Sequence, residues 1–214
     1  MMKKQLYAIS TGKQPSEQLA AIASHIHPYV DAIHIREKTK TAKELFELVE
    51  RFLDSGVPAE KIIINDRADV AAACGVKGVQ LAYHSLSAKA VKKAFPSLVV
   101  GCSVHSLQEA IEAEQNGADY CIYGHVFPTE CKAKMPPRGI EKLAQITAAV
   151  SIPVIAIGGI RLDNVSQVWE AGAHGIAVMS GIFLAENPLV QAKRYAMMTS
   201  MQNRERDEHE WPSL

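Results

Sequence analysis

Apolar residues gather in eight short runs, at 6–10, 32–36, 61–65, 78–82, 99–104, 120–126, 154–158 and 175–179. Each run has strand length and favours β-branched or aromatic side chains, so each predicts a strand. Between them, stretches such as 42–53 (AKELFELVERFL), 88–95, 107–116 and 140–150 place apolar residues at helical spacing. Pro188 starts a final helix. Asp163 and Asn164 stand where they can cap the helix that follows the seventh run.

Strand and helix thus alternate through the chain, the signature of the α/β class. Doubly wound sheets alternate in the same way, but eight repeats at a pitch of about 25 residues, with no linker between them, predict a closed (β/α)8 barrel. All 214 residues are read as one domain, with 204–214 a frayed, charged tail.

In such a barrel, catalytic groups sit at the C-terminal ends of strands and in the loops just after them. That rule selects His34, Arg36 and Lys38 after the second run, Asn65, Asp66 and Arg67 after the third, Ser103 and His105 at the fifth, and His125 at the sixth. Alternation aims His34 and Arg36 to the same side, making Arg36 a credible anion anchor within a charge cluster that also contains Glu37. Asn65 and Asp66 double as caps for a helix beginning near Ala68. The seventh run ends in Gly158 and Gly159, and the eighth leads into Met179, Ser180 and Gly181. Bare backbone after the seventh and eighth strands is suited to a phosphate. Neutral imidazole both takes and returns a proton near neutral pH, which makes His125 the preferred acid/base group, with His34 and His105 in reserve. The connection 127–139 is long, rich in Pro and Lys, and is read as a lid. His25, His27, His174 and His209 receive no role.

Composition narrows the partner. The chain is 48% hydrophobic and 21% charged, with 23 basic and 23 acidic residues, so no global field favours nucleic acid or an anionic membrane. No run approaches the length of a membrane span, and no signal peptide is apparent, so a cytoplasmic protein with a small-molecule partner is expected. Met197, Met198 and Met201 are read as exposed and leave room for a homodimer. Cys102 and Cys121 are expected to be buried strand residues, and Cys131 a loop residue; no cysteine pair suggests a metal.

The segments IHIREK, IINDRADVA, GVQL, GCSVHS, ADYCIYGHVFPTECK, IPVIAIGGI and AGAHGIAVMSGI, in this order and spacing, resemble the thiamin phosphate synthase superfamily, a group of TIM barrels. Synthases of that superfamily couple a pyrimidine diphosphate to a thiazole phosphate with Mg²⁺. The resemblance implies that Asp66 holds the first metal position, while Ser85 stands where a second Asp is expected. His125 replaces a Pro and His34 a Gln. These departures resemble the thiazole tautomerase, or TenI-like, branch, which implies a metal-free isomerase without a cofactor. In that reading His125 moves the proton, Gly158, Gly159, Met179 and Ser180 hold the phosphate of a thiazole phosphate, and Arg36, with Lys132 from the lid as the weaker candidate, pairs with its carboxylate. His34, Lys38, Asn65, Ser103 and Lys132 complete the lining. The alternatives are a thiamin phosphate synthase and a non-catalytic regulator.

Overall fold

The computed structural model describes residues 3–130 and 135–209, with side chains to 203. Cys131 and Lys132 of the expected lid, and 210–214 of the expected tail, lie outside the described residues. Eight parallel strands close into a barrel in sequence order: β1 (Gln5–Ile9), β2 (Ala32–Ile35), β3 (Ile62–Asn65), β4 (Gly78–Leu81), β5 (Val99–Val104), β6 (Tyr120–Gly124), β7 (Val154–Ile157) and β8 (Gly175–Val178). The helices between them are α1 (Ser16–Ile26), α2 (Ala42–Asp54), α3 (Ala68–Ala73), α4 (Ala88–Ala94), α5 (Leu107–Gln115), α6 (Ile140–Ala149), α7 (Val165–Glu170) and α8 (Ser180–Phe183), followed by α9 (Pro188–His209). The fold is therefore the expected (β/α)8 TIM barrel.

Strand alternation divides the apolar residues between two cores. Leu6 and Ala8, Ile62 and Ile64, and Val154 and Ala156 face the helices, whereas Tyr7 and Ile9, Ile63, and Ile155 fill the barrel interior. Both faces of every strand are covered, which is why the runs read as nearly continuous apolar stretches. On the helix side, α2 starts with a capping box, Thr41 accepting from the Glu44 amide and Glu44 from the Thr41 amide. Leu45, Leu48, Val49 and Phe52 then bury its apolar stripe.

Two expected caps take other roles. Asn164 precedes α7 without capping it; its Oδ1 accepts from the Arg161 amide and its Nδ2 donates to the Gly159 carbonyl. Asp163 pairs with Arg161 instead. Neither Asn65 nor Asp66 caps α3, whose N-cap residue is Arg67. Cys121 is buried, and its register partner Cys102 packs against the same core half-buried. Burial pushes the Cys121 thiol up to about 12 and the Cys102 thiol to about 11, so neither is a ready nucleophile. Of the three methionines expected to be exposed on α9, Met197 and Met201 are, but Met198 packs against the core. Among the described residues no helix is long and apolar enough to cross a membrane.

Gly101 sets the shape of the interior. A Cβ there would strike the Tyr120 ring and the Gln80 carboxamide, so the missing side chain on β5 makes room for two large ones from its neighbours. Gly101→Ala is expected to destabilise the barrel by about 1–3 kcal/mol through overpacking. Urea unfolding checks this, as a lower midpoint at unchanged m-value.

Candidate active site

The C-terminal ends of the strands gather most of the selected residues at one mouth. Arg36 follows β2 directly; its amide donates to Ser10 Oγ at 2.8 Å, and its guanidinium has no bonded partner among the described residues. Lys38, two residues on, is exposed. Asn65 ends β3, and Ser103, near the end of β5, accepts from Gln80 Nε2 at 3.1 Å. His105, in the loop before α5, turns to Glu109 of that helix, 3.2 Å away. Glu37 of the same charge cluster is not solvated: it is buried, its carboxylate accepting from Ser10 Oγ at 2.6 Å.

Asp66 has a left-handed backbone, at φ 69°, a conformation that a non-glycine residue adopts at a cost. Its carboxylate accepts a hydrogen bond from the Ser85 hydroxyl and lies 3.6 Å from His84 Nε2. The Ser85 oxygen also accepts from the Ala82 amide at 2.8 Å, fixing the loop after β4 against the loop after β3.

After β7, Gly158 and Gly159 both have left-handed backbones, at φ 96° and 66°. A Cβ on Gly158 would strike His125 Cβ and Cα, and one on Gly159 would meet the Pro128 carbonyl and lie 2.8 Å from Phe127 Cβ and O. Conformation and contact therefore both require glycine. After β8, Met179 leads into α8, whose first amides have no acceptor inside the helix. The two stretches put bare main chain side by side at the mouth, because β7 and β8 are neighbours.

His125 occupies a more enclosed place than its position after a strand suggests. It is 3% exposed, follows a cis Gly124–His125 peptide, and lies against Gly158. Its Nε2 stands 3.2 Å from the Met135 carbonyl oxygen, which fixes the proton on Nε2 because a carbonyl only accepts. Nδ1 is buried without a partner among the described residues. Arg138 secures the return of this loop, donating to the carbonyls of Gly124 at 3.1 Å and His105 at 2.8 Å.

Beneath the mouth is a floor that sequence reasoning largely missed. His34 is fully enclosed, its ring centroid 5.2 Å from that of Tyr7 and 6.4 Å from that of Tyr120. Among the described residues His34 Nε2, Gln80 Oε1 and Tyr120 OH are buried without a hydrogen-bond partner, groups that a ligand or water must satisfy. Burial, with Lys77 adding repulsion, pushes His34 down to about 3, so its imidazole is neutral at physiological pH. The polar Gln80 inside the apolar run GVQL was the available signal.

Relatives settle the family. The model described as "Thiamine monophosphate synthase" matches residues 6–182. The chain belongs to that family. It is 38% identical over 186 residues to a thiamine-phosphate synthase of Pyrococcus abyssi, covering 86% of this chain and 89% of the relative. It is 43% identical over 159 residues to one of Chlorobium luteolum, covering 73% and 75%. A solved thiamine phosphate pyrophosphorylase from Pyrococcus furiosus superposes with a TM-score of 0.79 at 33% identity, covering 92% of this chain and 96% of that one.

These relatives overturn the expected thiazole tautomerase: they are synthases, and so transferases, not isomerases. The physical reason for the error lies in two positions. Ser85 and His125 were read as a lost metal carboxylate and a gained proton shuttle, against a match running the length of the barrel. In the structure His125 is packed beneath the loop that returns to α6, one ring nitrogen engaged by Met135.

The neutral floor carries a pH signature. Unfolding restores His34 to its ordinary value near 6.5, so its contribution to stability is complete above pH 6.5 and is lost as pH falls toward about 3. Wild type is therefore expected to lose stability on acidification faster than His34→Gln, by up to about 1.4 kcal/mol per pH unit within that window. Denaturant titrations of both proteins at pH 7, 6, 5 and 4 check the difference, and parallel curves would refute it.

Proposed function

We propose that this chain makes thiamine phosphate, transferring a pyrimidinylmethyl group from its diphosphate to the ring nitrogen of a thiazole phosphate and releasing pyrophosphate. The observation that carries this reading is the family match over residues 6–182, which takes in every mouth residue from Arg36 to Ser180. A carbon–oxygen bond to the diphosphate breaks as a carbon–nitrogen bond forms, so negative charge grows on the departing pyrophosphate. Catalysis then consists mainly of positioning two anionic substrates and stabilising that charge.

The mouth supplies groups for both tasks. Arg36 presents a planar guanidinium fork suited to a diphosphate, and Lys38 adds a second cation from the same strand end. Lys132 is assigned to the same task but falls outside the described residues. Gly158, Gly159, Met179 and Ser180 hold the thiazole phosphate on main-chain amides. His34, with Gln80 and Tyr120, offers uncharged hydrogen-bonding groups to a ring above the floor, and Asn65 and Ser103 line the wall between.

The Mg²⁺ implied by the family resemblance does not fit this donor set as a two-carboxylate site. In the loops after β3 and β4, all of them described residues, Asp66 is the carboxylate, its Oδ1 accepting from Ser85 and its Oδ2 facing His84. The second position offers a neutral hydroxyl. Hard Mg²⁺ prefers anionic oxygen, so the roles above are assigned to side chains and main chain alone.

Arg36→Ala is expected to lower kcat/KM for coupling by about two orders of magnitude, the equivalent of losing charge-assisted bonds of about 1.5–3 kcal/mol. Arg36→Lys should recover only part of the loss, since an ammonium cannot form the fork. Pyrophosphate release from pyrimidine diphosphate and thiazole phosphate measures both. A wild-type protein that releases none with any divalent cation supplied would contradict the proposed activity.

A further inference from the structure

Glu37 and Ser10 belong to no step assigned so far, yet both are buried: Ser10 is 0% and Glu37 8% exposed. An ionised carboxylate in such a place carries a desolvation cost that its bonds must offset. The Glu37 carboxylate accepts from Ser10 Oγ at 2.6 Å, and the same oxygen accepts from the Arg36 amide at 2.8 Å. The Ser10 amide meanwhile donates to the His34 carbonyl at 2.9 Å. One serine just after β1 thus bonds to three groups at and beyond the end of β2: the carbonyl of His34, the amide of Arg36 and the side chain of Glu37. Gly12, at φ 73°, passes over the clip, where a Cβ would lie 3.7 Å from the Arg36 carbonyl and 3.9 Å from Glu37 Oε2.

We propose that Ser10 and Glu37 are positioning residues, clipping the end of β2 so that the Arg36 guanidinium is held at the mouth for a diphosphate group. The inference rests on Arg36 as the diphosphate anchor. It is set apart from a merely electrostatic or structural role by the sign of its consequences. A carboxylate next to an anion site repels the anion, so on electrostatics alone removing Glu37 tightens diphosphate binding. A positioning role requires the reverse when the acceptor is deleted. The two accounts agree only for Glu37→Gln, which removes the charge but keeps an oxygen for the Ser10 hydroxyl.

The test is calorimetric titration of inorganic pyrophosphate, and separately of thiazole phosphate, into wild type, Arg36→Ala, Ser10→Ala, Glu37→Ala and Glu37→Gln. Thermal unfolding establishes that each variant is folded. Glu37→Ala and Ser10→Ala are expected to bind pyrophosphate about tenfold more weakly, a loss of one charge-assisted contact. Glu37→Gln should bind it at least as tightly as wild type, and thiazole phosphate affinity should stay within about twofold in all. Should Ser10→Ala fail to fold, the two Glu37 variants decide alone. Tighter pyrophosphate binding by Glu37→Ala, or equal weakening by Glu37→Ala and Glu37→Gln, overturns the clip. Unchanged pyrophosphate affinity in Arg36→Ala overturns the anchor beneath it, a separate result.

Discussion

The mouth depends on a seam where β6 and β7 continue to bond beyond their own ends. The Val126 amide donates to the Ile157 carbonyl at 2.9 Å and the Phe127 amide to the Gly158 carbonyl at 3.0 Å. This brings the 125–128 segment against Gly158 and Gly159 so closely that no side chain fits at either glycine. Two consequences follow from one contact. Bare main chain is left at the mouth of the barrel, and His125 is fixed beneath the loop that leads to α6. Phosphate-handling barrels commonly use the loops after the seventh and eighth strands, and here the close approach explains why the loop after β7 carries glycine.

Charge is distributed by depth. At the rim stand Arg36, Lys38 and Asp66. Beneath them His34 is held neutral by burial, and Tyr7 and Tyr120 are pushed away from ionisation for the same reason. An uncharged floor under a cationic rim suits a substrate that is a neutral ring carrying an anionic tail. In the proposed function the tail would meet the Arg36 fork and the main-chain amides, and the ring would meet groups that hydrogen-bond without charge.

The barrel was legible because its strands are covered on both faces, so each appears as an unbroken apolar run and the runs recur at a regular pitch. Their ends were less so: Arg36, Gly158 and Met179 fall just beyond the strands expected to contain them, since main-chain pairing stops where side chains still alternate. Arg36, Gly158 and Gly159 were found from a strand-end rule that depends on topology alone. Ser10, Glu37 and Tyr120 were missed because their importance comes from bonds between neighbouring strands. In sequence Glu37 looks like one member of a solvated Arg-Glu-Lys cluster, and nothing local reveals that it turns inward to Ser10. Ser85 and His125 point away from a synthase in sequence because nothing local shows that Ser85 bonds to the Asp66 carboxylate or that His125 is held by the Met135 carbonyl.

The central claim is that the β6–β7 seam creates a phosphate site from bare main chain. It is tested most directly by Gly159→Val, which adds a side chain where Phe127 and Pro128 already make contact. Titration of thiazole phosphate into the folded variant is expected to show affinity at least about tenfold below wild type, because the amides that carry the charge-assisted bonds are displaced. Affinity equal to that of wild type, in a protein with an intact circular dichroism spectrum, would place the phosphate elsewhere and contradict the account.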